Sequence, residues 1–168
     1  MTKQEIEQKI AKDFGDSIQI QEIEQPEAYV YIAKEKYVEF CRYLHDDPEL
    51  SFDFLFQLGG MHFADDRFEV FLQLSSHKHQ HEMMVKVKLP HDNPEINTVI
   101  DIWQTADFFE LEVMELFGIK VVDHPNPRHL LLVEEWDYGY PMRKGWSGPD
   151  FIPMPDKSVD VEEDAESN

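Results

Sequence analysis

Apolar residues recur along this chain at spacings that separate helices from strands. After a Thr2-x-x-Glu5 start in capping-box positions, Ile6, Ile10 and Phe14 stand four apart, which predicts an amphipathic helix over Thr2 to Phe14, stopped at Gly15-Asp16. Alternation over Ile18 to Gln21 and the run Ala28 to Ile32 predict two strands around the break Gln25-Pro26-Glu27. From Lys34 to His45, Tyr37, Val38, Cys41 and Leu44 keep to one helical face, which makes Cys41 a small core residue rather than a reactive thiol. Phe52, Phe54, Phe56 and Leu58 alternate, Gly59-Gly60 reads as a break, and Phe68 to Leu72 and Met84 to Leu89 complete an antiparallel meander. Pro90 and Pro94 close the sheet region, Asn97 is placed to cap a helix over Thr98 to Trp103, and a further helix runs from about Ala106 to Phe117 with Gly118 as its stop. Pro125, Pro127, Pro141, Pro149, Pro153 and Pro155 then predict an extended segment lying over something. The expected fold is α+β, a small antiparallel or mixed sheet with helices packed on one face and an extended Pro-rich C-terminal segment. One domain over residues 1–148 precedes an acidic tail over 149–168.

Composition narrows the function. The 168 residues suffice for one real core, since chains of roughly 150 residues bury about two thirds of their unfolded surface. The net charge is −20, and residues 156–168 carry six acids against one Lys, leaving −15 on the rest, so the acidity belongs to the fold itself. A field of that sign repels phosphate backbones and excludes nucleic acid as a partner. No apolar run approaches the ~20 residues that span a bilayer, and Met1 to Glu5 lacks a signal peptide's basic start, which predicts a cytoplasmic protein. One cysteine, Cys41, cannot supply the four thiolates of an iron–sulfur cluster.

Helix Ala106–Phe117 is apolar almost all round yet carries Glu110, Glu112 and Glu115, which predicts burial on more than one side. Buried carboxylates need partners, and Arg128, Arg143 and Lys144 are the candidates, stitching the C-terminal segment onto this helix by charge.

The same region resembles a known family. Trp103-Gln104-Thr105-Ala106, Glu110-Leu111-Glu112, Leu116-Phe117-Gly118-Ile119, His124-Pro125, Arg128-His129-Leu130-Leu131, Trp136 and Pro141-Met142-Arg143-Lys144 follow the order and spacing of the complex I 30 kDa subunit signature. That signature runs approximately W-x-x-A, E-R-E, D-x-F-G-I, H-P, R-R-I-L, W and P-L-R-K-D. Upstream, Arg67 to Leu72 and Leu74 to His79 resemble the family's strand and Leu-Ser stretch, so the likeness covers about Ala28 to Trp146. Leu111, Glu115, His129 and Gly145-Trp146 depart from the pattern, each removing or moving a charge.

The resemblance implies a structural subunit in the hydrophilic arm of a complex I-like respiratory oxidoreductase, which couples electron transfer to quinone with ion translocation. It implies no cofactor on this chain, with iron–sulfur clusters and flavin or a NiFe centre in partner subunits. The implied partners are a 49 kDa-type or hydrogenase large subunit and iron–sulfur small subunits, with the membrane reached only through the complex, on its cytoplasmic face. The departures keep membrane-bound [NiFe] hydrogenases and F420H2- or ferredoxin-linked complexes open as its setting. The docking residues it implies are Glu110, Glu112, Phe117, Gly118, His124, Pro125, Arg128, Arg143 and Lys144, and no catalytic, cofactor or metal residue.

The sharpest rival is a small His-rich metal-binding protein using His77, His79, His81 and His91, since alternate strand residues share a face and imidazoles suit zinc or nickel. Same-face neighbours stand nearly 7 Å apart, however, and Ser75 to Gln80 reads as a hairpin tip. An acidic binding module using the Asp160–Glu166 tail is a second rival. No G-x-S-x-G elbow or phosphate-cradling loop is present.

Overall fold

The computed structural model describes residues 1–21 and 28–148, so the acidic tail expected over 149–168 lies outside the described residues. Helix α1 (Lys3–Phe14) opens with the capping box, Thr2 accepting from the Glu5 amide and Glu5 accepting from the Thr2 amide, and buries Ile6 and Ile10. Strands β1 (Ile18–Gln21) and β2 (Ala28–Ile32) follow, then α2 (Tyr37–Asp46), which buries Tyr37, Phe40, Cys41 and Leu44 on one face. Strands β3 (Phe54–His62), β4 (Phe68–Ser75) and β5 (Glu82–Leu89) form the expected meander. The five-stranded sheet has the order β1-β2-β5-β4-β3, and the β2–β5 pair is parallel while the others are antiparallel. Phe68, Val70, Leu72 and Leu74 of β4 and Met83, Val85, Val87 and Leu89 of β5 face one core, into which the helices pack.

Three local readings of the sequence need correction. Phe54 and Phe56 do not share the core face with Leu58: a bulge between Leu55 and Gln57 shifts the register, so Leu55 and Leu58 point inward and both phenylalanines stay exposed. Gly59-Gly60 is not a break but lies inside β3, where a Cβ on Gly60 would stand 2.9 Å from the Phe117 ring. Asn97 caps no helix. It ends β6 (Glu95–Asn97), which pairs in parallel with β7 (Lys120–Val122). Thr98 to Trp103 forms turns, with the Ile102 and Trp103 amides both donating to the Val99 carbonyl and the Trp103 indole donating to Phe52 O at 2.9 Å.

Helix α3 (Ala106–Phe117) matches its expected bounds, and Gly118 ends it in the left-handed region at φ 67°. Residues 123–148, the strap, are irregular and lie against α3.

Candidate subunit-docking site: helix α3 and its strap

Two faces of α3 are covered. Ala106, Glu110, Val113 and Phe117 are buried on one side, and Leu111 and Glu115 on another. The expected pairing of its glutamates with Arg128, Arg143 and Lys144 is not what covers them. Glu110, only 2 % exposed, accepts from the Thr98 hydroxyl at 2.6 Å and the Val99 amide at 2.8 Å, and burial pushes its carboxyl above the ordinary range. Glu115 gathers three strap amides, Leu130 at 3.0 Å, Leu131 at 2.7 Å and Leu132 at 3.2 Å, with His129 Nδ1 at 3.3 Å. Burial alone would raise this carboxyl, but those donors outweigh it and hold it below the ordinary range. Glu112 is half-buried, and its side chain makes no hydrogen bond or ion pair with another described residue.

The cations bind elsewhere. Arg143 Nε donates to Phe117 O at 2.7 Å and Nη2 to Gly118 O at 3.4 Å, placing a cation on the negative end of α3. Its guanidinium also lies over Tyr140 and Phe68, 4.4 and 5.0 Å from the ring centroids. Arg128 donates to Asn126 O at 3.0 Å and stands 3.5 Å from Asp107. The Lys144 side chain is exposed, and its amide donates to His62 Nδ1 at 2.9 Å. His124 is buried with Nε2 3.2 Å from Asp107 and 4.0 Å from Glu110, while Pro125 beside it is exposed.

The strap is thus fastened by backbone amides at Glu115 and by the side chains of His124, Arg128 and Arg143, and it leaves several apolar side chains exposed. Leu131 is 61 % and Val133 63 % exposed, with Tyr138, Tyr140 and Met142 exposed alongside and Phe108 exposed on α3. Trp136 and Trp146 stack at 6.2 Å, and each indole donates to a strap carbonyl, Gly139 O and Tyr138 O. A groove of about 600 Å³ opens between Trp136 and α3, lined by Met114, Glu115, Arg128, Trp136, Asp137 and Tyr140. Exposed apolar and aromatic groups on a fixed backbone are suited to covering by another protein.

Of the residues expected to dock, Glu110, Phe117 and Gly118 hold α3 in place, and His124, Arg128, Arg143 and Lys144 tie the strap down. Glu112 and Pro125 are left facing outward. Sequence reasoning included Glu115 among the carboxylates that would fasten the C-terminal segment but expected cationic partners and left it out of the docking residues; an acid in the last turn of a helix, where the dipole disfavours it without donors, is a further signal. The histidines of the rival reading go to separate acceptors: His77 Nδ1 lies 3.3 Å from Asp53, His79 Nε2 bonds Pro48 O and His81 Nε2 bonds Leu50 O. They tether the hairpin tip to the loop after α2. His91 instead stands near His62 and Asp66.

Residues 30–151 match the family model described as respiratory-chain NADH dehydrogenase, 30 Kd subunit. The corresponding NADH-quinone oxidoreductase subunit of Roseiflexus sp. (strain RS-1) is 36% identical over 117 residues, 68% of this chain and 67% of the relative. An F(420)H(2) dehydrogenase subunit of Methanosarcina mazei is 31% identical over 150 residues, 88% and 94% of the two chains. Among solved structures, the trypsin-resistant fragment of Nqo5 matches with a TM-score of 0.63 at 26% identity, covering 74% of this chain and 99% of that one. A chain of the membrane-bound sulfane sulfur reductase, an archaeal respiratory membrane complex, shares the fold, with a TM-score of 0.69 at 18% identity over 94% and 96% of the chains. With the ordered motifs of α3 and its strap inside the matched region, the chain belongs to the respiratory-chain NADH dehydrogenase 30 kDa subunit family.

Proposed function

We propose that this chain is a structural subunit in the hydrophilic arm of a complex I-like respiratory oxidoreductase, where it docks the large catalytic subunit and the iron–sulfur subunits. The observation that carries this reading is the strap, whose amides are fixed to α3 while its apolar side chains face outward. In this reading the redox groups belong to the partners. The one cysteine is buried in the core with its thiol pushed up by burial, so it is no thiolate ligand in waiting. No helix among the described residues is long and apolar enough to cross a membrane.

A second setting, an F420H2-type dehydrogenase or related hydrogenase complex, is favoured by the Methanosarcina relative, which aligns over more of both chains than the Roseiflexus one. Native co-purification decides between them by which partner appears: a flavin dehydrogenase module, a nickel-containing large subunit, or neither.

Glu112 is the cleanest docking probe because no described residue depends on it. Glu112→Ala is expected to leave the thermal midpoint of the isolated chain unchanged and to lower recovery of the large and iron–sulfur subunits. Undiminished recovery from both Glu112→Ala and Arg143→Ala would count against docking through this surface.

A further inference from the structure

At the far end of β3 from the bulge, three side chains from three segments converge: His62 at the strand's last position, Asp66 in the β3–β4 turn and His91 just after β5. One donor atom from each lies within 4.8 Å of the other two. His62 is the unusual member. Its side chain is 4 % exposed, its ring stacks on Phe68 at 4.4 Å, and its buried Nε2 has no hydrogen-bond partner among the described residues, with Asp66 Oδ1 at 3.5 Å. The ring of His91 is oriented by Nδ1–H donating to the Asp66 carbonyl at 2.9 Å, the outer contact that ordinarily fixes a metal-binding imidazole and leaves its other nitrogen with a lone pair.

We propose that His62 Nε2, Asp66 and His91 form a divalent transition-metal site of the zinc class, and that its occupation loosens the strap. Ligands about 2.0–2.1 Å from one ion stand about 3.3 Å apart in a tetrahedron; His62 Nε2 and Asp66 Oδ1 are already at 3.5 Å, and the separations of up to 4.8 Å close by up to about 1.5 Å. The exposed Asp66 and His91 can make that movement, and the fourth position stays open to water.

The coupling follows from His62's two nitrogens. Its Nδ1 accepts the Lys144 amide, so in the resting neutral ring the proton sits on Nε2. An ion at Nε2 requires that proton to move to Nδ1, where it would face the Lys144 N–H. Two donors cannot share that contact, so the ion and the Lys144 bond exclude each other. Lys144 follows Arg143, which caps α3, and precedes Trp146 by two residues. Metal binding therefore releases the strap's last fixed point on the sheet, the same strap on which the docking surface is built. All three ligands and the Lys144 amide belong to this chain, so the coupling holds whichever oxidoreductase houses it.

The test uses the full chain carrying His77→Ala and His79→Ala, which removes two hairpin imidazoles as a competing site. Calorimetric titration with zinc chloride, and cobalt(II) absorption, are expected to show one ion per chain, with Asp66→Asn and His91→Ala each weakening binding at least about tenfold. In the same samples, hydrogen exchange at the Lys144 amide is expected to quicken on adding zinc. Absence of binding, or binding that both variants retain, overturns the site. Binding with unchanged Lys144 exchange overturns the coupling. Both variants alter exposed positions, and an unchanged thermal midpoint without metal separates ligand loss from misfolding.

Discussion

Removing the Glu115 carboxylate tests most directly how the strap is held. Three amides converge on one side chain that is 2 % exposed, at 3.0, 2.7 and 3.2 Å. Hydrogen bonds to a charged group contribute about 1.5–3 kcal/mol each where the freed donor stays buried. The strap is half open to solvent, so in Glu115→Ala its amides regain water and about 1 kcal/mol each is the better figure, about 3 kcal/mol together. At 1.4 kcal/mol per decade, that predicts about a hundredfold faster hydrogen exchange at Leu130, Leu131 and Leu132. Val70 and Val85 in the central strands serve as the internal reference, because their exchange reports whole-domain opening. Glu115→Gln retains a carbonyl acceptor but sets its own N–H₂ against the amides, and recovers about 1 kcal/mol of the loss at most. Because the folded carboxyl titrates below its free value of 4.5, this contribution is complete above that pH and disappears as pH falls through the lower folded value. Strap protection that is unchanged relative to Val70 and Val85 in Glu115→Ala would refute the account.

Two further outcomes follow from the same region. Gly118→Ala places a Cβ 2.4 Å from the Tyr140 ring and 2.7 Å from Arg143 Nη2 at φ 67°, whereas Gly145→Ala at φ 80° meets nothing within 4 Å among the described residues. Urea unfolding is expected to show about 1–2 kcal/mol lost at Gly145 from backbone strain alone, and a clearly larger loss at Gly118; equal losses would rule out the ring contact as its cause. Glu110 has the opposite linkage sign to Glu115, since its raised folded value means that stability is complete below 4.5 and is lost as pH rises through that higher value. The stability of the parent chain minus that of Glu110→Gln is expected to grow as pH is lowered from 7 towards 4.5, and a difference that shrinks would show that burial does not govern this carboxyl.

How much of this was legible in the sequence depended on whether the partner of each feature leaves a mark there. The capping box of α1 and the bounds of α3 were readable because both signals are local: Thr2 and Glu5 satisfy each other, and Gly118 supplies the positive φ that ends the helix. The β6–β7 pair was not, because each strand is three residues long and they pair across the whole of α3. Phe54 and Phe56 were misplaced by a bulge, which adds one residue without altering the alternation of residue types. The pairing of the α3 glutamates differed from expectation in a more instructive way. Matching glutamates to arginines assumed that charge seeks charge, and backbone amides carry no letter in a sequence. Yet a carboxylate taken out of water is satisfied by donors of any kind, and Glu115 found three amides of one segment. At Glu115 that choice has a structural consequence: fastening the segment by the amides of residues 130–132 leaves Leu131 and Val133 exposed. The departures at Leu111 and His129 fit this arrangement, since Leu111 is fully buried where the family carries Arg, and His129 stands at Glu115 where the family carries a second Arg. A buried arginine at 111 would need a carboxylate beside it, and Glu115 is already engaged by the strap amides.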